Sequence, residues 1–187
     1  MGKRKIQVII LCEDRQQEVF ARHFLIKKSC FKPGEIRVLP LPDGKQSGEQ
    51  YVRETYPKQV KLYRSQSTYR SVCLIVLTDA DPKYSVKQRL DSLDSALEEN
   101  EEYSQPKRQP QEKIAIFVPK RNIETWICYL RGETVDEETK YPKLAKPGDC
   151  KNDVDILLDW CNSNAGLPED APPSLQAACG ELQRIFN

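Results

Sequence analysis

Histidine is almost missing from this chain: among 187 residues there is one, His23. A Ser–His or Cys–His catalytic pair would rest on that residue alone, and a histidine-rich metal site is impossible. An excess of charge of either sign is missing too. Lys+Arg number 29 and Asp+Glu 28, a formal net charge of +1, which excludes nucleic-acid binding driven by bulk charge while leaving room for a local basic surface. No apolar run approaches the ~18 residues a membrane span needs. The seven cysteines (12, 30, 73, 128, 150, 161 and 179) contain no Cys-x-x-Cys pair, and Met1-Gly2-Lys3-Arg4-Lys5 is not an apolar signal segment. Reduced thiols in a cytoplasmic protein are therefore expected. The remaining chemistry belongs to carboxylates, Lys, Arg, Tyr and Cys. Charged residues make up 30% of the chain and apolar residues 39%, enough for one domain with a modest core.

The apolar residues fall in short blocks. Ile6 to Cys12 holds Val8, Ile9, Ile10 and Leu11 in one run, which predicts a strand buried on both faces. Ile36 to Leu41, Ser71 to Thr78 and Lys113 to Val118 predict three more. Helical spacing separates them. Val19, Phe20, Phe24 and Leu25 mark a helix over Arg15 to Cys30. Val86, Leu90, Leu93 and Leu97 mark one over Ser85 to Tyr103, and Ile123, Trp126, Ile127 and Leu130 a short one over Asn122 to Leu130. Ser47 to Tyr69 predicts helix in parts, interrupted at Pro57. This alternation predicts an α/β fold with a mostly parallel four-stranded sheet and helices on both faces. After Arg131 the chain turns charged and proline-containing, then gives two short helices, the second with Ser174 as N-cap. The expected organisation is an α/β domain over 1–131, followed by a linker and small helical extension over 132–187 packed on or beside it.

Open parallel sheets bind ligands beyond the carboxyl ends of their strands. Those ends carry Glu13 and Asp14, Asp43, Asp79-Ala80-Asp81, and Lys120, Arg121 and Glu124. A single strand-end Asp is often a helix cap, which suits Asp14. Asp79 and Asp81 cannot both cap one helix, and two such carboxylates are costly to gather unless a cation shares the charge. A hard divalent ion, Mg²⁺ or Mn²⁺, is the natural neutraliser.

The set Leu11-Cys12-Glu13-Asp14, Leu77-Thr78-Asp79-Ala80-Asp81 and Pro119-Lys120-Arg121-Asn122-Ile123-Glu124 resembles the Toprim domain shared by topoisomerases, bacterial primases and overcoming-lysogenisation-defect nucleases. That family places a Glu after its first strand and an Asp-x-Asp after a later one; the resemblance covers roughly Ile6 to Leu130. Asp14 stands where topoisomerase and primase Toprims have Gly, and Pro82 follows Asp81 directly, so the nearer match is a stand-alone nuclease-type Toprim. The resemblance implies metal-dependent phosphodiester hydrolysis on DNA or RNA. Glu13, Asp79, Asp81 and Glu124 would be metal ligands, Glu13 a proton carrier, and Lys120 or Arg121 would face the scissile phosphate. It also implies partners: a nucleic acid, and an ATPase or a second copy of the chain, in which case the protein would be a partner-dependent or non-catalytic subunit. A parallel α/β enzyme using Asp79 and Asp81 on a nucleotide sugar is a third reading.

Other motifs have simpler readings beside them. Asp43-Gly44-Lys45-Gln46 fails the phosphate-loop pattern, because Leu39 stands where the first Gly belongs and Gln46 where Ser or Thr belongs. The stretch from Tyr51 to Arg70 interleaves tyrosines with Lys58, Lys61 and Arg64. It reads equally as a nucleic-acid surface and as an amphipathic helix that buries its tyrosines. Trp126 is expected in the core and His23 at a core edge or on the surface.

Overall fold

The computed structural model describes residues 7–28 and 31–186. Ile6, Ser29 and Cys30, which the predicted first strand and helix include, lie outside the described residues. The order is β1 (Gln7–Leu11), α1 (Arg15–Lys27), β2 (Ile36–Val38), α2 (Gly48–Ser67), β3 (Val72–Leu77), α3 (Val86–Glu99), β4 (Ile114–Phe117), α4 (Ile123–Leu130), α5 (Lys151–Asn162) and α6 (Pro173–Phe186). The four strands form one all-parallel sheet in the order β2-β1-β3-β4.

Alternation along each strand divides the core into two layers, because successive strand side chains point to opposite faces. Val8, Ile10, Cys73, Ile75, Leu77, Ala115 and Phe117 face α1, α4, α5 and α6, where Phe20, Phe24, Trp126, Leu157 and Leu182 meet them. Leu11, Leu74, Val76, Ile114 and Ile116 face α2 and α3 across Val52, Tyr56, Val60, Leu93 and Leu97. The two faces explain why the strands read as continuous apolar runs. The segment after Arg131 enters the first of these layers through Val154, Leu157, Leu175, Ala178, Leu182 and Ile185. None of the described helices is long and apolar enough to cross a membrane.

Several local expectations change. Helix α2 runs unbroken through Pro57. Proline inside a helix costs about 3 kcal/mol. Here Val52, Tyr56 and Val60 are fully buried on the sheet, and Gln105 Nε2 donates to the Pro57 carbonyl at 2.7 Å. Packing outweighs the local penalty. Helix α3 stops at Glu99, four residues early, because Asn100 turns to extended backbone and Gln105 N donates back to Leu97 O. Ser174 is not an N-cap: α6 begins at Pro173, and the buried Ser174 hydroxyl accepts from Trp126 Nε1 at 2.8 Å. The expectation of reduced thiols throughout is corrected at one pair. Packing of α5 beside α6 brings Cys161 and Cys179 to a Cα–Cα distance of 5.3 Å, and they form a disulfide. Eighteen residues separate them, so no local motif announces the bridge.

Candidate active site

The chain goes from β1 to β2 on one side of the sheet, then to β3 and β4 on the other. The order reverses between β1 and β3, and a doubly wound sheet opens its ligand crevice at that point. Register sets what meets there. Leu11 pairs with Val76, so continuation of the two strands brings Glu13 beside Thr78 and Asp79. Glu13 Oε1 accepts from Thr78 Oγ1 at 2.6 Å and from Asp79 N at 2.8 Å. Gln17 completes the link, donating from Nε2 to Asp79 Oδ1 at 2.9 Å while its Oε1 accepts from Glu13 N at 2.9 Å. Asp14 is the N-cap of α1, accepting from Gln17 N, and it pairs with Lys143 at 3.1 Å.

Pairing of β3 with β4 extends past the regular strands through a parallel bridge, Ala80 to Lys120. Ala80 N donates to Pro119 O and Arg121 N to Ala80 O, so the Asp79-Ala80-Asp81 and Lys120-Arg121 segments lie side by side. Arg121 takes a left-handed backbone (φ 75°), a conformation non-glycine residues rarely adopt outside functional turns. Its buried Nε has no hydrogen-bond partner.

These segments open onto a cavity of about 650 Å³ whose wall includes Glu13, Asp79, Asp81, Arg53, Arg121 and Lys140. Helix α2 starts at its rim. Gly48 is required there by close approach, since a Cβ on it would stand 2.7 Å from Glu13 Cβ and 2.8 Å from Glu13 Oε2. Arg89 is buried beneath, donating from Nε to the Asp79 carbonyl at 3.1 Å and pairing with Glu49, which also accepts from Arg53.

The electrostatics are those of acids short of countercharge. Burial raises the Glu13 carboxyl above its ordinary range, against the hydrogen bonds from Thr78 and Asp79 N and the charge of Arg89. Burial, then the charges of Glu13 and Asp14, drive the Asp79 carboxyl well above its usual range. Glu124, 2% exposed, is also raised by burial, and its Oε1 has no hydrogen-bond partner. Cys12, behind Glu13, is pushed up to about 12 by burial and then by Glu18, Asp14 and Glu13, so it stays a thiol and offers no nucleophile.

The expected site residues separate into groups. Glu13 and Asp79 meet directly. Asp81 shares their cavity, but its Oδ1 accepts from Lys83 N at 3.2 Å. Glu124 lies in the first turn of α4, close enough for its charge to act on Asp79, and is not part of the cavity wall. Among the described residues, no three acidic, His or Cys side chains are already gathered to hold a metal ion. The donor set nevertheless fits a hard cation. It is all carboxylate oxygen, with Glu13, Asp79 and Asp81 on one cavity wall.

Lys120 departs from its expected place at a phosphate: its ammonium binds the carbonyls of Tyr84 (2.6 Å) and Pro82 (3.2 Å). Lys58 and Lys61 are exposed on α2, ten and thirteen residues beyond Gly48, about 15–20 Å along the helix from the cavity rim. Lys61 lies over the Tyr103 ring, and Arg64 is bound to Glu112 and to the Pro106 and Lys107 carbonyls. Two tyrosines of that stretch turn inward, Tyr56 fully buried and Tyr63 with its Oη accepting from Lys113 N, while Tyr69 is exposed. Sequence reasoning missed Gln17, Gly48, Arg89 and Lys140, and reached Arg53 only as one of the basic residues interleaved with tyrosines. Gln17 and Arg89 follow the Glu13 and Asp79 strand ends on the next helices, which is a usable signal. Lys140 comes from the charged segment after Arg131, where no pattern pointed inward.

The class defined by fold and cavity is a doubly wound parallel α/β protein with an acidic pair at its switch point and cations around it. Comparison with protein-family models, with curated proteins and with solved structures gave no match.

Proposed function

We propose that the protein is a divalent-metal-dependent phosphodiesterase of nuclease type, acting on DNA or RNA and similar in its site to the nuclease-type Toprim domain. One observation carries this reading: Glu13 and Asp79 are locked together across the β1/β3 crevice with their carboxyls raised, in a cavity whose wall also holds Asp81 and the cations Arg53, Arg121 and Lys140. Acids placed to share a cation, ringed by groups that bind a phosphate diester, suit phosphoryl chemistry.

Glu13 and Asp79, with Asp81 across the cavity, would hold Mg²⁺ or Mn²⁺. Such an ion supplies Lewis acidity toward a phosphate oxygen and lowers the pKa of a bound water. The chain's own groups do the rest. Thr78 and Asp79 N–H fix Glu13 Oε1, leaving Oε2 to take or release a proton at the cavity. Gln17 holds Asp79 by Oδ1, which orients the second oxygen. Arg121, its Nε without a protein acceptor, meets the developing negative charge on phosphate, with Arg53 and Lys140 as flanking contacts.

The test is hydrolysis of labelled single- and double-stranded DNA and RNA by the purified protein with Mg²⁺, with Mn²⁺, and with chelator. Wild type should cleave only with metal. Glu13→Gln and Asp79→Asn should each lose about 10²-fold or more. Cleavage at wild-type rates by both variants would overturn the reading.

A further inference from the structure

Tyr84 stands apart from every other aromatic residue near the site. Its side chain is exposed (49% for the residue), yet it forms part of the cavity wall with Glu13, Asp79 and Arg121. One face of the ring is covered: the Arg89 guanidinium carbon lies 5.5 Å from the ring centroid. That guanidinium is itself fixed, by Asp79 O and by Glu49. The backbone of Tyr84 is fixed as well, because its N donates to Asp81 O at 2.8 Å and its carbonyl accepts from Lys120 Nζ at 2.6 Å. Lys120 also holds Pro82 O, so one ammonium clamps the loop that carries the ring. An exposed tyrosine on a surface loop normally has freedom to rotate away. This one is backed by a buried cation and anchored at both backbone ends, at the mouth of an acid- and cation-lined cavity.

We propose that Tyr84 is a stacking platform for an unpaired base, and that the substrate is single-stranded nucleic acid, or a frayed end, rather than intact duplex. The inference deepens the phosphodiesterase reading and rests on it for the identity of the strand. Its physics is separate. Every base offers a π-face, so an aromatic ring at the cavity mouth holds a strand without regard to sequence. A base within a duplex presents only its edges, and must be flipped out at a cost before it can stack on a protein ring. With a base on Tyr84, Arg121 and Lys140, which share the cavity wall with it, are the cations available to the adjoining phosphate. Tyr84 is thus a substrate-binding residue, and Lys120 and Arg89 are positioning residues that act through it. This also accounts for the commitment of Lys120 to loop carbonyls.

The experiment is fluorescence anisotropy in Mg²⁺. The probes are a short labelled oligothymidylate with a phosphorothioate backbone, to suppress turnover, and the same strand annealed to its complement. Cleavage kinetics on the ordinary phosphodiester strand run alongside. Single strand should bind wild type about tenfold or more tighter than duplex. Tyr84→Ala should weaken single-strand binding about tenfold or more, the worth of one aromatic–base stack, and duplex binding about twofold or less. Tyr84→Phe, which keeps the ring, should stay within about twofold of wild type. Cleavage by Tyr84→Ala should show a raised KM with kcat little changed. An unchanged Kd in Tyr84→Ala, an equal loss for both probes, or equal damage from Phe and Ala would overturn the platform. The two readings fail separately. Tyr84-dependent strand binding without metal-dependent cleavage removes the phosphodiesterase and leaves the platform. Asp79-dependent cleavage with a KM indifferent to Tyr84 does the reverse.

Discussion

Two regions of this molecule handle inward-facing carboxylates in opposite ways. At the outer edge of β4, Glu181 of α6 accepts from both terminal guanidinium nitrogens of Arg108 and from Ile116 N at 2.7 Å, while Arg108 donates to Ile114 O at 2.9 Å. The ion pair takes the place of a fifth strand: it satisfies a donor and an acceptor that the open edge would otherwise present. At the β1/β3 crevice, among the described residues, Glu13 and Asp79 accept hydrogen bonds from neutral donors only, Thr78, Gln17 and a backbone N–H. The nearest buried cation, Arg89, spends its hydrogen bonds on the Asp79 carbonyl and on Glu49. The first arrangement is complete within the chain. The second leaves both carboxyls without an ion pair among the described residues. Matched charge closes a structural joint, whereas buried carboxyls left unpaired in a cavity are candidates for a functional role.

The largest effect should come from breaking the matched side. Glu181→Ala leaves the Ile116 N–H without its acceptor and the Arg108 guanidinium with only the Ile114 carbonyl. It should cost about 1.5–3 kcal/mol in urea unfolding, the usual worth of hydrogen bonds to a charged group in a mostly covered pair. A loss below about 1 kcal/mol would show that the pair does not close the edge. On the unmatched side, Gly48→Ala should act on activity more than on stability. The added Cβ must push Glu13 out of place, and displacement of a reacting group by about 1 Å costs on the order of 10²-fold in rate. An Ala variant as active as wild type would mean that the Glu13 position is not critical.

The smallest and most diagnostic effect concerns pH. Asp79 has a folded-state pKa raised well above its ordinary value, chiefly by burial and then by Glu13 and Asp14. The folded protein therefore binds that proton more readily than the unfolded chain, and stability is lost as pH rises through the raised range. Asp79→Asn removes this penalty and keeps an oxygen for Gln17. Without metal it should melt a few degrees above wild type at about pH 7, with the gap closing below about pH 3, where Asp79 is protonated in both states. Saturating Mg²⁺ should raise the wild-type Tm and leave Asp79→Asn nearly unmoved. A gap that ignores both pH and metal would remove the electrostatic basis of the contrast.

Much of the site could be read along the chain because strand ends are local features. An apolar block followed by a carboxylate needs no long-range information, and Glu13 and Asp79 were both legible in this way. Asp81 and Glu124 were legible as acids near strand ends, but not as groups held apart from the central pair. The direction in which a strand-end side chain turns depends on its neighbours, and Lys83 N holds Asp81. The adjacent cations Lys120 and Arg121 look alike in sequence. One folds back on a loop and the other faces the cavity, a difference made by the left-handed backbone at Arg121 and by the carbonyls of Pro82 and Tyr84. Arg64, conspicuous among aromatics, is held by Glu112, which lies forty-eight residues away.

The sequence by itself determined the two-faced strands, the helices between them and hence a parallel α/β sheet. Burial on both faces forces continuous apolar runs, and helical packing forces a repeat near 3.6 residues. It also determined which strand ends carry acids. Tertiary structure alone decided that Glu13 meets Asp79, because that depends on the register of β1 against β3. It alone decided that Pro57 sits inside a helix, that Cys161 finds Cys179, and that residues beyond Arg131 supply both a core layer and Lys140. Each of these is a contact between distant segments, fixed by packing free energy that no local pattern contains.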